Sequence, residues 1–199
     1  GRESLYTAAA NEPDPRYRAY GVRAPARRAI FRAHRSALKA LPANDRMSLA
    51  GRLIDSGMGE QQELAFMLLH PIAAQLKLTD LPLIDEWLRR LHGWSKIDGY
   101  CGSVLQPLLL RFPREIIDLA RLWNHDPDPW PRRASVVLFT RKIAKSGQFN
   151  DVALELGENL VRDQHELVLK GVGWMLQDLM QSDQPRIATF VKRLRAEGV

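Results

Sequence analysis

The sequence predicts an all-α fold, and two observations carry that prediction. Apolar residues recur three and four residues apart between Gly and Pro breakers, which is the period of amphipathic helices. No alternating run of apolar and polar residues reaches the length of a β-strand. The chain has 199 residues, of which 45% are hydrophobic and 26% charged, so it is long and apolar enough to bury a core.

About ten short helices follow an irregular segment at residues 1–20, which holds Pro13 and Pro15. Pro25 marks the start of the first helix, because a proline in the first turn lacks an N–H that would have no helical partner. Asn44 or Asp45 can cap the second helix. The predicted helices, separated by Gly and Pro breakers, are Ala26–Ala40, Arg46–Ser56, Glu60–Leu76, Leu81–Leu91, Asp98–Arg111, Pro113–Trp123, Pro131–Ser146, Asn150–Val161, Gln164–Met180 and Gln184–Glu197.

A repeat becomes visible when these helices are compared in pairs. The segment 133–138 resembles the segment 170–175, since each has a cation, a small residue and then an apolar turn. Helix pairs that repeat every 35–40 residues or so are typical of an α-solenoid of HEAT-like helical repeats. We therefore expect one such domain over residues 1–199, with a concave cleft that fits a DNA duplex. A helical bundle without repeats is the alternative.

The formal net charge is +6, and the excess of positive charge lies in the N-terminal quarter of the chain. Residues 1–53 contain 11 Lys and Arg against 4 Asp and Glu, and all of these cations except Lys39 are arginines. Arginine binds phosphate through two parallel hydrogen bonds. A basic segment of this density indicates a polyanionic partner, most simply nucleic acid. The alternative is a solvated basic face without a ligand.

Several kinds of chemistry are excluded by the residues present. Cys101 is the single cysteine, so neither an intramolecular disulfide nor a cysteine-based zinc cluster can form. The five histidines have no partner at metal-ligand spacing, and no glycine-rich phosphate loop or nucleophile motif is present. We expect no metal and no cofactor. The longest apolar run, Leu64–Leu69, is too short to span a membrane, and we expect a cytoplasmic protein.

Three segments place a tryptophan close to a charged side chain. Trp94 and Asp98 are four residues apart, so on a helix they share one face. Trp130 precedes Arg133, and Lys170 precedes Trp174. In the alternative interpretation these residues have structural roles only: Asp98 caps a helix, the tryptophans fill the core and the cations are solvated. Two other tryptophans, Trp87 and Trp123, have apolar neighbours and are expected in the core.

Taken together, these segments resemble the AlkC/AlkD-type alkylpurine DNA glycosylases, a family of HEAT-like repeat proteins. That family has a W-x-x-x-D segment, a W-x-x-R segment and a K-x-x-G-W segment in this order, which match residues 94–98, 130–133 and 170–174. The run 20–28 is similar to the family's G-I/V-x-x-P-x-R-R/K opening. One departure is Gln177-Asp178, where the family more often has Arg-Glu.

The resemblance implies a role for each matched residue. Asp98 matches the catalytic carboxylate, Trp94 and Trp174 match the aromatic pair that flanks the damaged nucleotide, and Arg133 matches a contact to the DNA backbone near the lesion. The remaining candidates for DNA binding are Trp130, Lys170, Arg27 and Arg28.

The implied activity is that of a monofunctional DNA glycosylase in base-excision repair. It would release cationic N3- or N7-alkylated purines from double-stranded DNA, as a monomer beside the bacterial nucleoid. Such a purine already carries a positive charge, so it leaves without a general acid, and one carboxylate can stabilise the sugar cation. Two alternatives remain open: a non-catalytic HEAT-like protein that binds unusual duplex DNA, and a HEAT-type scaffold for protein interactions.

Overall fold

The computed structural model describes residues 14–198, which form thirteen α-helices. Strands are absent from these residues apart from a one-residue parallel bridge between Arg18 and Met58. The all-α prediction is therefore confirmed. Most of the predicted irregular segment, residues 1–13, lies outside the described residues, and residues 14–20 are irregular as expected.

Contacts between residues divide the chain into two compact units, unit 1 (Gly1–Arg111) and unit 2 (Phe112–Val199). The single domain over residues 1–199 stays a prediction. Unit 1 contains α1 (Ala24–Ala33), α2 (Arg35–Ala40), α3 (Ala43–Asp55), α4 (Gly59–Leu69), α5 (Leu81–Arg89), α6 (Trp94–Tyr100) and α7 (Gln106–Arg111). Short 3₁₀ turns, His70–Gln75 and Leu78–Asp80, follow α4, and a π-helical turn, Cys101–Leu105, joins α6 to α7.

Unit 2 contains α8 (Pro113–Asn124), α9 (Pro129–Val137), α10 (Lys142–Ser146), α11 (Asn150–Leu160), α12 (Glu166–Leu179) and α13 (Gln184–Ala196). The two segments that the sequence repeat relates lie on α9 and α12, each the second helix of a pair. The first helices of these pairs are α8 and α11, and α9 packs extensively against α12. This is the arrangement expected of helical repeats.

Several predicted helices have different bounds in the structure. The first one is interrupted at His34, and the predicted helix Pro131–Ser146 is interrupted after Val137. At the second interruption, Arg141 has a φ of 58°, which a helix cannot accommodate. The helix predicted to begin at Asp98 begins four residues earlier, at Trp94.

The core of unit 1 is built around α3, α4 and α6. Phe66 and Tyr100 pack with their ring centroids 5.4 Å apart, and the Tyr100 hydroxyl donates a hydrogen bond to the Ile84 carbonyl at 3.0 Å. Burial raises the pKa of Tyr100 well above its usual value. Trp87 is buried, as expected. By contrast, α1 and α2 have no buried residue, and Ile30 is 51% exposed.

The core of unit 2 lies between α8, α9, α11 and α12. Trp123 is fully buried, as expected. Asn124 at the end of α8 donates hydrogen bonds to the Ser135 hydroxyl at 2.9 Å and to the Leu156 carbonyl at 3.1 Å. Asn159 in turn donates to the Asn124 side-chain oxygen at 2.9 Å. This buried amide network ties three helices of the unit together, because each of its hydrogen bonds joins two different helices.

Candidate functional site

Helix α6 carries the first pair of predicted site residues. Gly93 precedes it with a φ of 94° and a ψ of 139°, a conformation that is essentially confined to glycine, and its carbonyl accepts the Lys96 amide at 3.1 Å. Trp94 is then the first helical residue and is 38% exposed, whereas Asp98 is 7% exposed. The two side chains lie on one helical face, because they are four residues apart. Asp98 lies inside the helix, so it is not a helix cap.

A network of charged groups lies next to α6. Lys96 is 2% exposed, and its ammonium group forms an ion pair with Glu63 of α4. The other carboxylate oxygen of Glu63 lies 2.5 Å from the Arg27 guanidinium. Arg27 also donates a hydrogen bond to the Val22 carbonyl. Glu63 therefore connects α1, α4 and α6, because its carboxylate lies between the two cations.

This network changes the interpretation of Arg27. The sequence resemblance suggested a DNA contact, but its guanidinium binds the carboxylate of Glu63 and a carbonyl within unit 1. Both arginines line an open cavity of about 270 Å³ together with Glu63, Gly99 and Ser103, but Arg28 is exposed and Arg27 is half-buried. Arg28 is thus the member of the pair whose charge faces solvent.

Glu60 holds the N-terminal segment against the start of α4. Its carboxylate accepts hydrogen bonds from the Tyr20 amide at 3.0 Å and from the Val22 amide at 2.9 Å. Gly21 has a φ of 79°, which allows this turn. Burial raises the pKa of Glu60, but the backbone N–H groups around it outweigh that effect and the pKa is lowered. The matched run 20–28 is therefore anchored through a buried carboxylate that sequence reasoning missed.

Apart from Arg27, the cations of α1 and α2 are exposed and have no acidic partner among residues 14–198. They are Arg28, Arg32, Arg35 and Lys39. The basic side chains of α13 behave differently, since Arg186 pairs with Asp151 at 2.6 Å and Arg193 pairs with Glu158 at 2.7 Å. The positive charge of these four residues is therefore available to a ligand, while much of that of α13 is neutralised.

In unit 2, Trp130 belongs to the core and is 1% exposed. Its indole packs edge-to-face on the His165 ring at 5.7 Å between centroids, and its amide donates a hydrogen bond to Asp128. An indole that is buried to this degree has no surface for DNA. The predicted DNA contact by Trp130 is therefore not supported, because the tryptophan faces the interior of the unit.

Arg133 is also buried, with 5% of its surface exposed. One guanidinium nitrogen donates a hydrogen bond to the Leu167 carbonyl at the start of α12. The position of a Cβ added at Gly171 would be 3.4 Å from the same nitrogen, so α12 approaches this guanidinium closely. Arg133 therefore joins α9 to α12. Its guanidinium is too buried to make the predicted contact to the DNA backbone in this conformation.

Trp174 on α12 is half-buried and lies under an arginine. The Arg141 guanidinium is 5.0 Å from the centroid of its ring. The Arg141 amide donates a hydrogen bond to Asp178 at 2.6 Å. Among the described residues Arg141 is the only non-glycine residue with a positive φ. No breaker or motif in the sequence indicated Arg141. Its importance comes from its contact with Trp174, which lies 33 residues later in the chain.

Lys170, the last candidate, is exposed on α12 and pairs with Glu166 one turn earlier, at 2.6 Å. The eight candidates divide between the units: Arg27, Arg28, Trp94 and Asp98 lie in unit 1, and Trp130, Arg133, Lys170 and Trp174 in unit 2. The described part of the chain contains no group of three or more His, Cys, Asp or Glu that could hold a metal ion. It also has no helix that is long and apolar enough to cross a bilayer.

Comparison with known proteins identifies a family for most of the chain. The family model of DNA alkylation repair enzymes matches residues 13–197. A solved structure of a predicted DNA alkylation repair enzyme from Enterococcus faecalis is similar over 96% of this chain and 88% of that chain, with a TM-score of 0.82. The two sequences are 15% identical, so this likeness establishes the fold alone. No curated protein matches the chain.

Proposed function

Because the chain belongs to the DNA alkylation repair enzyme family, we propose that it is a monofunctional DNA glycosylase of the AlkC/AlkD type. Its substrates would be N3- or N7-alkylated purines in duplex DNA, which it would excise as the first step of base-excision repair. The observation that carries this proposal is the pair on α6, where a partly exposed Trp94 lies on the same helical face as the buried carboxylate of Asp98.

The chemistry requires little from the protein. The bond between C1′ of the deoxyribose and the purine nitrogen breaks, and its electron pair leaves with the cationic base, which becomes neutral. Positive charge develops on C1′, where the Asp98 carboxylate stabilises it. Water then adds to C1′ and loses a proton, which leaves an abasic site and the free base. The low exposure of Asp98 strengthens this electrostatic effect, because charges interact more strongly away from bulk water.

The aromatic side chains supply selectivity for a positively charged base. An indole face attracts a cation with roughly 0.5–2 kcal/mol, and it attracts a neutral base less. Trp94 in unit 1 and Trp174 in unit 2 each expose part of an indole ring. Selection by charge would tolerate differences in the alkyl group, since the positive charge of the purine ring is common to all of these lesions.

The exposed cations of α1 and α2 would bind the DNA backbone. Four basic side chains without an acidic partner in the described chain offer contacts to phosphate that carry no sequence information. The same cations would serve the alternative function, a non-catalytic HEAT-like protein that binds DNA. The two functions differ in what Asp98 does.

Release of 7-methylguanine and 3-methyladenine from methylated duplex DNA, measured under single-turnover conditions, tests the proposal. We expect Asp98→Asn to lower the rate by about 10²–10³-fold, because the amide cannot neutralise the sugar cation. The affinity for the duplex should stay within about twofold, since charge-assisted contacts to phosphate are unchanged. Asp118→Asn on α8 is the control, because that side chain is 62% exposed and should leave both quantities unchanged.

Two outcomes would contradict the proposal. Release by Asp98→Asn at the wild-type rate would remove the catalytic role of Asp98. Tight duplex binding by the wild-type protein without release of any alkylated base would favour the non-catalytic alternative.

A further inference from the structure

We propose that Arg141 is a resident cation on the face of Trp174, which a positively charged base must displace, so that Arg141 sets the affinity of this indole for cationic ligands. This inference rests on the proposed function, in which Trp174 contacts an alkylated base.

The geometry places the positive charge directly over the ring. The Arg141 guanidinium carbon lies 5.0 Å from the Trp174 ring centroid, within the range of a cation–π contact. Trp174 is half-buried, so the ring surface that remains is limited, and Arg141 covers part of it. A flat cationic base that stacks on the same surface would meet the guanidinium there.

The backbone of Arg141 is tied to the helix that carries Trp174. The Arg141 amide donates a hydrogen bond to Asp178, which lies four residues after Trp174 and so on the same face of α12. Arg141 has a φ of 58° and a ψ of −123°, which is unfavourable for a residue with a Cβ atom. The hydrogen bond to Asp178 stabilises this conformation, and the conformation directs the side chain over the indole.

The guanidinium itself is held only weakly. Among residues 14–198 it forms no ion pair, and the Trp174 ring is the contact that the structure gives it. Arg141 is also exposed, so its side chain can move into solvent while its backbone stays in place. This combination of a fixed backbone and a displaceable cation is what a competitor for the indole face requires.

The charge of a ligand determines whether the Arg141 guanidinium competes with it for the Trp174 ring. Two cations repel each other on one indole face, so a cationic ligand binds only when the guanidinium has left. A neutral aromatic ligand meets no such repulsion, because a guanidinium can stack beside or above it. Removal of the positive charge should therefore favour cationic ligands selectively.

A matched pair of probes tests this inference. N-methylquinolinium and quinoline have nearly the same shape and differ by one positive charge. Their binding can be followed at the Trp174 indole N–H resonance, which is assigned by Trp174→Phe. We expect Arg141→Gln to tighten N-methylquinolinium binding roughly 3- to 10-fold and to leave quinoline unchanged. Arg141→Lys should lie close to wild type, and Lys145→Gln, which removes another exposed cation, should have no effect.

A second variant guards against a folding defect. Arg141→Gly removes the side chain and relieves the positive φ, so it should fold at least as stably as wild type and tighten N-methylquinolinium binding in the same way. The inference is overturned if neither variant tightens that binding, or if quinoline tightens equally, since the effect would then be one of space and not of charge.

Duplex binding separates this role from a contact to DNA. If Arg141 bound phosphate, Arg141→Gln would weaken binding to undamaged duplex and lower the salt slope by about one unit, which would also overturn the inference. An unchanged slope supports it. These measurements involve no base release. A negative result here would therefore contradict the role of Arg141, whereas wild-type base release by Asp98→Asn would contradict the proposed function.

Discussion

Helices α6 and α9 each have, in their first two residues, a tryptophan that is followed within about one turn by a charged residue, yet the two indoles have opposite environments. Trp94 is 38% exposed, while Trp130 is 1% exposed. Trp94 is the first residue of α6 and Trp130 is the second residue of α9. One position on a helix turns a side chain by about 100°. The comparison teaches that a short motif gives the spacing of its residues but not the direction in which they face.

The residues around Trp94 and Trp130 also contribute to the difference in exposure between the two indoles. His165, 35 residues after Trp130 in the chain, supplies a ring that packs against it. Asp98 and Arg133 are both buried, but the first shares a helical face with a partly exposed tryptophan and the second is bound to a backbone carbonyl. One helix therefore combines an accessible aromatic ring with a carboxylate, and the other contributes to the interior of its unit.

The largest expected effect is that of Trp130→Ala, which should lower the free energy of unfolding by about 3–5 kcal/mol, as truncation of a buried aromatic residue does. For a chain of this size that corresponds to a fall in Tm of roughly 10 °C. Trp94→Ala should change stability by less than about 1 kcal/mol and should impair the release of cationic bases. Thermal melts and a base-release assay on both variants test the contrast. Equal melting temperatures would contradict it.

Gly93→Ala should destabilise the protein by about 1–3 kcal/mol, because alanine is strained at a φ of 94°. It should also reduce base release, since the start of α6 places Trp94. Gly173→Ala is the matched control: an added Cβ meets nothing within 4 Å, and alanine in a helix interior is favourable by up to about 1 kcal/mol. Urea denaturation of both variants gives the two values. A stable Gly93→Ala protein would mean that the helix start tolerates other conformations.

Arg133→Ala should cost about 1–3 kcal/mol of stability, because it removes a charged hydrogen-bond donor and its packing from the interface between α9 and α12. The salt dependence of duplex binding should stay as in wild type. Arg32→Ala should do the reverse, with unchanged stability and a salt slope lower by about one unit. Titrations at several salt concentrations distinguish the two arginines. A reduced slope for Arg133→Ala would restore it as a phosphate contact.

The smallest expected effect depends on pH and concerns the segment beside α6. Glu60 has a lowered pKa in the folded protein, so its carboxylate stabilises the fold above the ordinary pKa of glutamate, and that contribution disappears as the pH falls through the lower, folded value. At pH values below about 4, we expect the hydrogen-exchange protection of the Tyr20 and Val22 amides to weaken. In Glu60→Gln the protection should be weaker by about 1–2 kcal/mol and insensitive to pH. Pronounced pH dependence in that variant would assign the effect to another group.

Sequence reasoning succeeded where the decisive interactions are local. The spacing of Trp94 and Asp98 predicted a shared face because helical geometry alone determines it. The burial of Trp130 could not be predicted in this way, since it depends on His165, which directly precedes a later helix. The position of Arg141 was equally inaccessible, because neither glycine nor proline marks its positive φ.

The same limit applies to the charged residues. The excess of arginine in residues 1–53 indicated a polyanion, but composition does not show which cations already have a partner. Arg27 is bound to Glu63, and its neighbour Arg28 faces solvent. Only the positions of acidic side chains on other helices distinguish the two.

The π-helical turn after Asp98 begins with Cys101, and this residue is the single thiol of the chain. The thiol is buried, so a thiol-reactive dye can reach it only when the junction between α6 and α7 opens. Labelling kinetics of the unmodified protein would thus time the breathing of the segment that follows Asp98. Labelling that is faster than global unfolding would reveal local opening there, and its slowing by bound DNA would show that the substrate closes the junction.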